Sequence, residues 1–129
     1  MLSDRVTLTV PARAEFAKTV RMTVSELASR LGMSYDNVDD MRIAADEAFV
    51  YVCGRANDDE VVFQADLKPD ALTLQVGPFS VDIMQDQDED AVDRYAMFIL
   101  DSVCDSFTLE HEDERTTLTL VKYQGDGCA

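Results

Sequence analysis

The sequence predicts an α/β two-layer sandwich, a mostly antiparallel sheet with its helices on one face. Three observations predict it. Apolar residues recur at three- and four-residue steps in three separate stretches, the mark of amphipathic helices facing a core. Five other stretches are short and apolar or alternate polar with apolar, and several are bounded by turn residues, as strands are. Their order is strand, two helices, two strands, helix, two strands, which groups the helices between antiparallel hairpins and gives each layer one apolar face to bury.

The first strand covers residues 5–10, with Val6, Leu8 and Val10 on one face; Pro11 ends it and can open a helix. Helix one carries Phe16, Val20, Val24, Leu27 and Leu31 at helical spacing and ends at Gly32, a residue that tolerates the left-handed conformation of a helix end. Glu15, Lys18, Arg21 and Glu26 are left on or near its polar face. Ser34 can cap the second helix, and Asp36 sits in its first turn, where the macrodipole favours negative charge. Val38, Met41, Ala45, Ala48 and Val52 then face inward over about five turns. On this helix Glu47 lies roughly 100° from the Ala48 line, and Tyr51 follows one turn later on the same side, so the two neighbour each other at the rim of the core.

Asn57, Asp58 and Asp59 form a turn, after which Val61, Phe63, Ala65 and Leu67 alternate as a strand. A four-residue connection, residues 68–71, reverses the chain into Leu72, Leu74 and Val76. From 77 to 90 the periodicity fails, and Asp82, Asp86, Asp88, Glu89 and Asp90 accumulate without a basic residue, which reads as a loop. The third helix, over about residues 91–104, uses Val92, Tyr95, Ile99 and Val103 as its buried line; a last hairpin joins 107–109 to 118–120 across 111–115.

Composition bounds the function. The 129 residues make a single domain, 1–129, with no linker or repeat, and 47% apolar with 29% charged residues is the balance of a globular chain. No apolar run approaches the roughly 20 residues of a membrane span. Residues 1–11 alternate instead of forming the apolar block of a signal peptide, so a cytoplasmic location is expected. A net charge of -15 argues against nucleic acid, whose phosphates need Lys and Arg, and favours a partner with a basic surface. Cys53, Cys104 and Cys128 show no CxxC spacing and His111 is the only histidine, which supports neither a zinc site nor a disulfide framework; the first two cysteines read as buried thiols. The acidic run lacks the DxDxDG spacing of a calcium loop, and the methionines read as core filling.

The stretch 27–53, LASRLGMSYDNVDDMRIAADEAFVYVC, closely resembles the nucleotide-binding helix of the anti-sigma-factor serine kinases, a bacterial branch of the histidine-kinase-like ATPase superfamily. VPARAEF at 10–16, DSVCDSFTLE at 101–110 and TTLTLVKY at 116–123 resemble the same family, so the likeness covers most of the chain and implies the histidine-kinase-like ATPase fold. In that family the helix carries Glu-Ala-x-x-Asn. The matching residues here are Glu47, Ala48 and Tyr51: the resemblance assigns Glu47 as general base and puts Tyr51 where the magnesium-binding Asn stands. A neutral phenol, with a reference pKa of roughly 10, is a poor magnesium ligand beside an amide carbonyl.

After the second hairpin strand the family has an adenine-reading Asp and glycines. Here that place holds VGPFSVD, of which Gly77 alone matches, and Asp82 comes several residues late. Where a Gly-x-Gly turn should deliver phosphate to the third helix stand Asp93, Arg94, Tyr95 and Ala96, with Glu89, Asp90 and Asp93 already complementing the helix dipole. The expectation is therefore a degenerate nucleotide site, with the acidic loop 77–90 replacing the lid, no cofactor, and ATP with magnesium only if the site is unusual. Glu47 is then either a working base or a solvated carboxylate inherited from an active ancestor. The resemblance implies a homodimer that binds a sigma factor or an anti-anti-sigma protein through helix one, where Glu15, Lys18 and Arg21 are the candidate contacts. Two alternatives stay open: an active ATP-dependent serine kinase with unusual residues, and an interaction domain of another pathway.

Overall fold

The computed structural model describes residues 4–80 and 90–124, with the backbone alone for 90–93. Alternating side chains form strand β1 (Asp4–Pro11), whose inward positions grade from the exposed Val6 to the buried Val10. Pro11 closes the strand, but the chain does not pass straight into a long helix. A single 3-10 turn, Ala14–Phe16, intervenes before α1 (Ala17–Arg30). Gly32 ends that segment at φ +81, as its position predicts. Helix α2 (Tyr35–Arg55) starts on a true cap, with Ser34 Oγ accepting from the Asn37 N–H at 3.1 Å.

Strands β2 (Glu60–Lys68) and β3 (Ala71–Ser80) form the central hairpin. Lys68 pairs with Ala71, so the connection is the two residues Pro69 and Asp70, shorter than the expected four. β3 also runs on past Val76. The register breaks between Val76 and Phe79 and then resumes with Phe79 opposite Thr116 and Ser80 opposite Arg115, so Gly77, Pro78, Phe79 and Ser80 belong to the sheet and not to the loop predicted from residue 77. The break is what the alternation missed: a bulge inserts residues without ending the strand. Asp82, Asp86, Asp88 and Glu89 lie outside the described residues, as does Cys128.

Helix α3 (Asp90–Val103) leads into β4 (Ser106–Glu112) and β5 (Arg115–Tyr123). Asp113 and Glu114, at φ 51 and 69, make the whole turn between them, so His111, Glu112 and Arg115 pair within the strands. The buried line of α3 also differs from the expected one. Ala96 and Leu100 are buried whereas Tyr95 is 63% exposed; Val92 falls among the side chains left undescribed.

The strands form one antiparallel sheet in the order β1-β2-β3-β5-β4. Its inner face presents Val61, Phe63, Ala65, Leu67, Leu72, Leu74, Val76, Phe79, Leu118 and Leu120 to the helices, and these join Val20, Val24, Met41, Ala45, Ala48, Phe49 and Val52 in one apolar core. α2 is the central helix, flanked by α1 and α3 and resting on β2, β3 and β5. The opposite face carries Thr73, Gln75, Thr117 and Thr119, half-exposed and polar, which completes the two layers. One polar group reaches into the edge of the core. Lys122 Nζ lies 3.0 Å from both Asp40 Oδ2 on α2 and the Val103 carbonyl at the end of α3, so three elements meet on one ammonium.

Candidate functional site

α2 is central and buries Met41, Ala44, Ala45, Ala48, Phe49, Val52 and, in its last turn, Arg55, which sets Glu47 and Tyr51 beside the buried line at the rim of the core. Glu47, Tyr51 and Arg55 stand at steps of four along that rim, one turn apart each time. Glu47 is half-buried, and burial first and the neighbouring Asp46 carboxylate second hold its proton affinity above the usual carboxylate range. Among the described residues it makes no side-chain hydrogen bond or ion pair.

Asp46 has a different partner. Arg21 of α1 donates from Nη1 to its Oδ1 at 2.8 Å, with both side chains about one-third exposed. The structure thus ties one of the three expected partner-contact residues to the carboxylate next to Glu47. Lys18 and Glu15 remain on the exposed side of the same segment, with Met22, also exposed, one turn beyond Lys18; Glu15 pairs with Arg13 at 3.1 Å.

Tyr51 packs against the core at its inner edge, and Arg55 lies over its ring with the guanidinium carbon 4.2 Å from the ring centroid. Arg55 Nη1 also donates to the Tyr51 carbonyl, at 3.4 Å. Arg55 is only 8% exposed, an uncommon placement for a guanidinium, and its position in the last turn of α2 also sets it against the negative end of the helix dipole. Composition and periodicity assign this residue no role. The available signal was its spacing, four residues beyond Tyr51, where a cation and an aromatic ring meet on one helix face.

Gly77 is a glycine for a reason internal to the sheet. At φ +113, a Cβ built on it would lie 2.8 Å from the Thr116 carbonyl oxygen and 2.9 Å from Phe79 Cδ1, so the close approach it permits is to β5 and to its own strand. Arg115 braces this bulge from the outer face, donating from Nη2 to the Pro78 carbonyl at 2.8 Å, with Asp58 3.6 Å away. Asp58 Oδ1 accepts from the Ser80 N–H at 2.9 Å, which ties the end of β3 to the connection between α2 and β2. Arg115 separates two open hollows of about 360 and 570 Å³, lined by Glu110, Glu112 and Asp113 on one side and by Asp58, Asp59 and Glu60 on the other.

Cys53 and Cys104 are free thiols. Cys104 is buried and Cys53 half-buried, and burial raises the pKa of both, that of Cys104 to about 12.

Comparison with known proteins gives this arrangement a family. Residues 10–122 match the model of the histidine kinase-like ATPase domain. A serine-protein kinase RsbW from Bacillus cereus is 24% identical, the alignment covering 93% of this chain and 85% of that protein; one from Listeria monocytogenes is 25% identical over 95% and 88%. A third, from Halalkalibacterium halodurans, is 45% identical over a shorter stretch of 56 residues, 43% of this chain and 35% of that protein. In three dimensions the chain superposes on a crystal structure of the RsbU and RsbW domains of a Mycobacterium tuberculosis protein with a TM-score of 0.71 at 18% identity, covering 92% of this chain and 32% of that one, a likeness of fold. The match from β1 to β5 includes the whole of α2, and the chain belongs to the histidine kinase-like ATPase domain family.

Proposed function

We propose that this chain is a regulator of the anti-sigma type that acts by binding protein partners, a sigma factor or an anti-anti-sigma protein, and does so without nucleotide. The observation that carries this reading is the state of α2. Its relatives named serine-protein kinase RsbW align along nearly the whole chain, yet the position expected to hold magnesium through an amide is Tyr51, with a buried guanidinium stacked on its ring. These residues do not suit a divalent metal. A neutral phenol is a weak ligand for a hard dication beside the amide carbonyl it replaces. Gly77, the matching glycine of the adenine loop, is committed to the sheet.

Partner binding falls to the α1 segment, where Glu15 and Lys18 are exposed beside Met22 and where Arg21 is oriented by Asp46. A homodimer across the β1 edge is part of the same reading, supported by the exposure of Val6 and by β1 pairing on one side only, with β2, among the described residues. The acidic segment within 77–90 stands in for a nucleotide lid, and the whole works as one module in the cytoplasm. No helix among the described residues is long and apolar enough to cross a membrane.

One observation favours a second reading. Glu47 keeps both the place and the raised proton affinity of a general base, as an active serine kinase with an unusual nucleotide site would require. Calorimetric titration of the chain with the sigma factors of its host, in EDTA and again in ATP with magnesium, tests the proposal. Equal affinity in both buffers, unchanged by Glu47→Ala, supports a binding regulator; binding that requires nucleotide, or transfer of labelled phosphate to a partner serine that Glu47→Ala abolishes, supports the kinase.

A further inference from the structure

The sheet ends in two strands that pair on one side only among the described residues, β1 with β2 and β4 with β5. Each leaves a row of backbone N–H and C=O groups with no strand beyond it. The two edges differ in charge: β1 carries Asp4 and Arg5, whereas β4 carries Glu110 and Glu112 and no basic residue but His111. Side chains along β4 alternate by face. Phe107, Leu109 and His111 extend the inner row of Leu120, Leu118 and Thr116 on β5; Phe107 and Leu109 are half-buried against the core, and His111 Nδ1 lies 2.9 Å from Thr116 Oγ1. Ser106, Thr108, Glu110 and Glu112 stand exposed in the outer row. Glu110 and Glu112 line the hollow of about 360 Å³, and neither makes an ion pair among the described residues. Arg115, on the same hollow, is turned instead to the Pro78 carbonyl and Asp58.

We propose that the free edge of β4 docks an extended segment of a partner protein in which basic residues alternate with apolar ones, added to the five-stranded sheet beyond β4. Backbone pairing holds the segment in the plane of the sheet, its apolar residues extend the row of Phe107 and Leu109, and its Lys or Arg residues lie beside Glu110 and Glu112. The register of β4 with β5 is unbroken over its 7 residues, a continuous template of about 23 Å. A second copy of this chain does not suit this edge. Two β4 strands paired about a two-fold axis would bring four carboxylates together, on chains that each carry a net charge of -15. Carboxylates that only guarded the edge against aggregation would show no preference for a basic segment able to pair over one of equal charge that cannot. The site lies on the opposite edge of the sheet from β1 and is independent of both the α1 surface and the nucleotide-free reading.

The test uses the full chain labelled with nitrogen-15 and a capped seven-residue peptide of alternating Lys and Val. Binding should saturate, shift the amide signals of 106–112 most, and slow hydrogen exchange at the β4 amides that face away from β5. The same peptide N-methylated at every Val, or in a second version at every Lys, keeps its charge; the version that blocks the ladder should bind about tenfold more weakly or worse. Glu110→Lys combined with Glu112→Lys changes two exposed side chains outside the core and should weaken binding of the unmodified peptide about tenfold or more. An absence of saturable binding overturns the proposal. So do shifts centred away from β4, an affinity unchanged in the double variant, or two N-methylated peptides that both bind as the parent does, which would be charge attraction alone. Protection of β4 amides that grows with protein concentration in the absence of peptide would assign the edge to a second copy and overturn it as well.

Discussion

At the scale of single residues, Glu47 and Gly77 show how one position can be legible in sequence while its role is decided by neighbours distant in sequence. Glu47 was found from its place on α2, and the structure adds the direction in which its environment pushes it. Folding favours its protonated form, so this residue takes nothing from stability below the unfolded carboxylate value and lowers stability as pH rises through the window above it. Glu47→Gln should therefore melt together with the wild type at about pH 4 and slightly above it at about pH 7, which thermal melts at the two pH values will show. The sequence marks Gly77 as a ligand-loop glycine, and the structure adds a close approach inside the sheet that a Cβ would not permit. Gly77→Ala puts a methyl 2.8 Å from the Thr116 carbonyl at a φ of +113 and should lower stability by about 2–4 kcal/mol in urea unfolding; a loss under about 0.5 kcal/mol would mean that the bulge relaxes freely. Arg55 was missed altogether, because a lone arginine near a helix end reads as a solvated dipole partner until the ring beneath it is seen.

At the scale of elements, periodicity located the α-helices and strands of the described residues, missed the 3-10 turn Ala14–Phe16, and failed where two patterns were equally periodic or where one was interrupted. On α3 the line Val92, Tyr95, Ile99, Val103 competes with Ala96, Leu100, Val103. Large side chains weigh more in a sequence reading, yet packing against α2 selected the small Ala96 and left Tyr95 and Phe98 outside, 63% and 69% exposed. In β3 the Gly77-Pro78 pair imitates a strand end, and only pairing with β5 shows that the strand resumes. The junction of α2, α3 and β5 on Lys122 was likewise invisible, since residues 40, 103 and 122 are far apart in the chain. Lys122→Ala should cost about 2–4 kcal/mol, by removing the buried stem and leaving Asp40 and the Val103 carbonyl without their shared donor. Lys122→Met, which keeps the apolar stem, should cost less; equal losses would show that the charge carries the junction.

At the scale of the whole molecule, a family fold and a strongly acidic chain meet in the proposed nucleotide-free regulator. A net charge of -15 predicts steering toward a basic partner. Stopped-flow association rates should fall as the Debye length contracts from about 10 Å at 0.1 M salt to about 3 Å at 1 M, and neutralising Asp86, Asp88, Glu89 and Asp90 together should flatten that dependence. Charge reversal of Lys18 should act on the dissociation rate instead, if α1 makes the specific contacts. The central claim is that this member of an ATPase family works without ATP, and the most direct measurement is thermal unfolding of the full chain in millimolar ATP with magnesium. A ligand at about 100 times its dissociation constant adds about 2.7 kcal/mol, which for a domain of this size is a rise on the order of 10 °C. The account predicts a melting temperature unchanged from that in EDTA; a clear rise that saturates with ATP would contradict it.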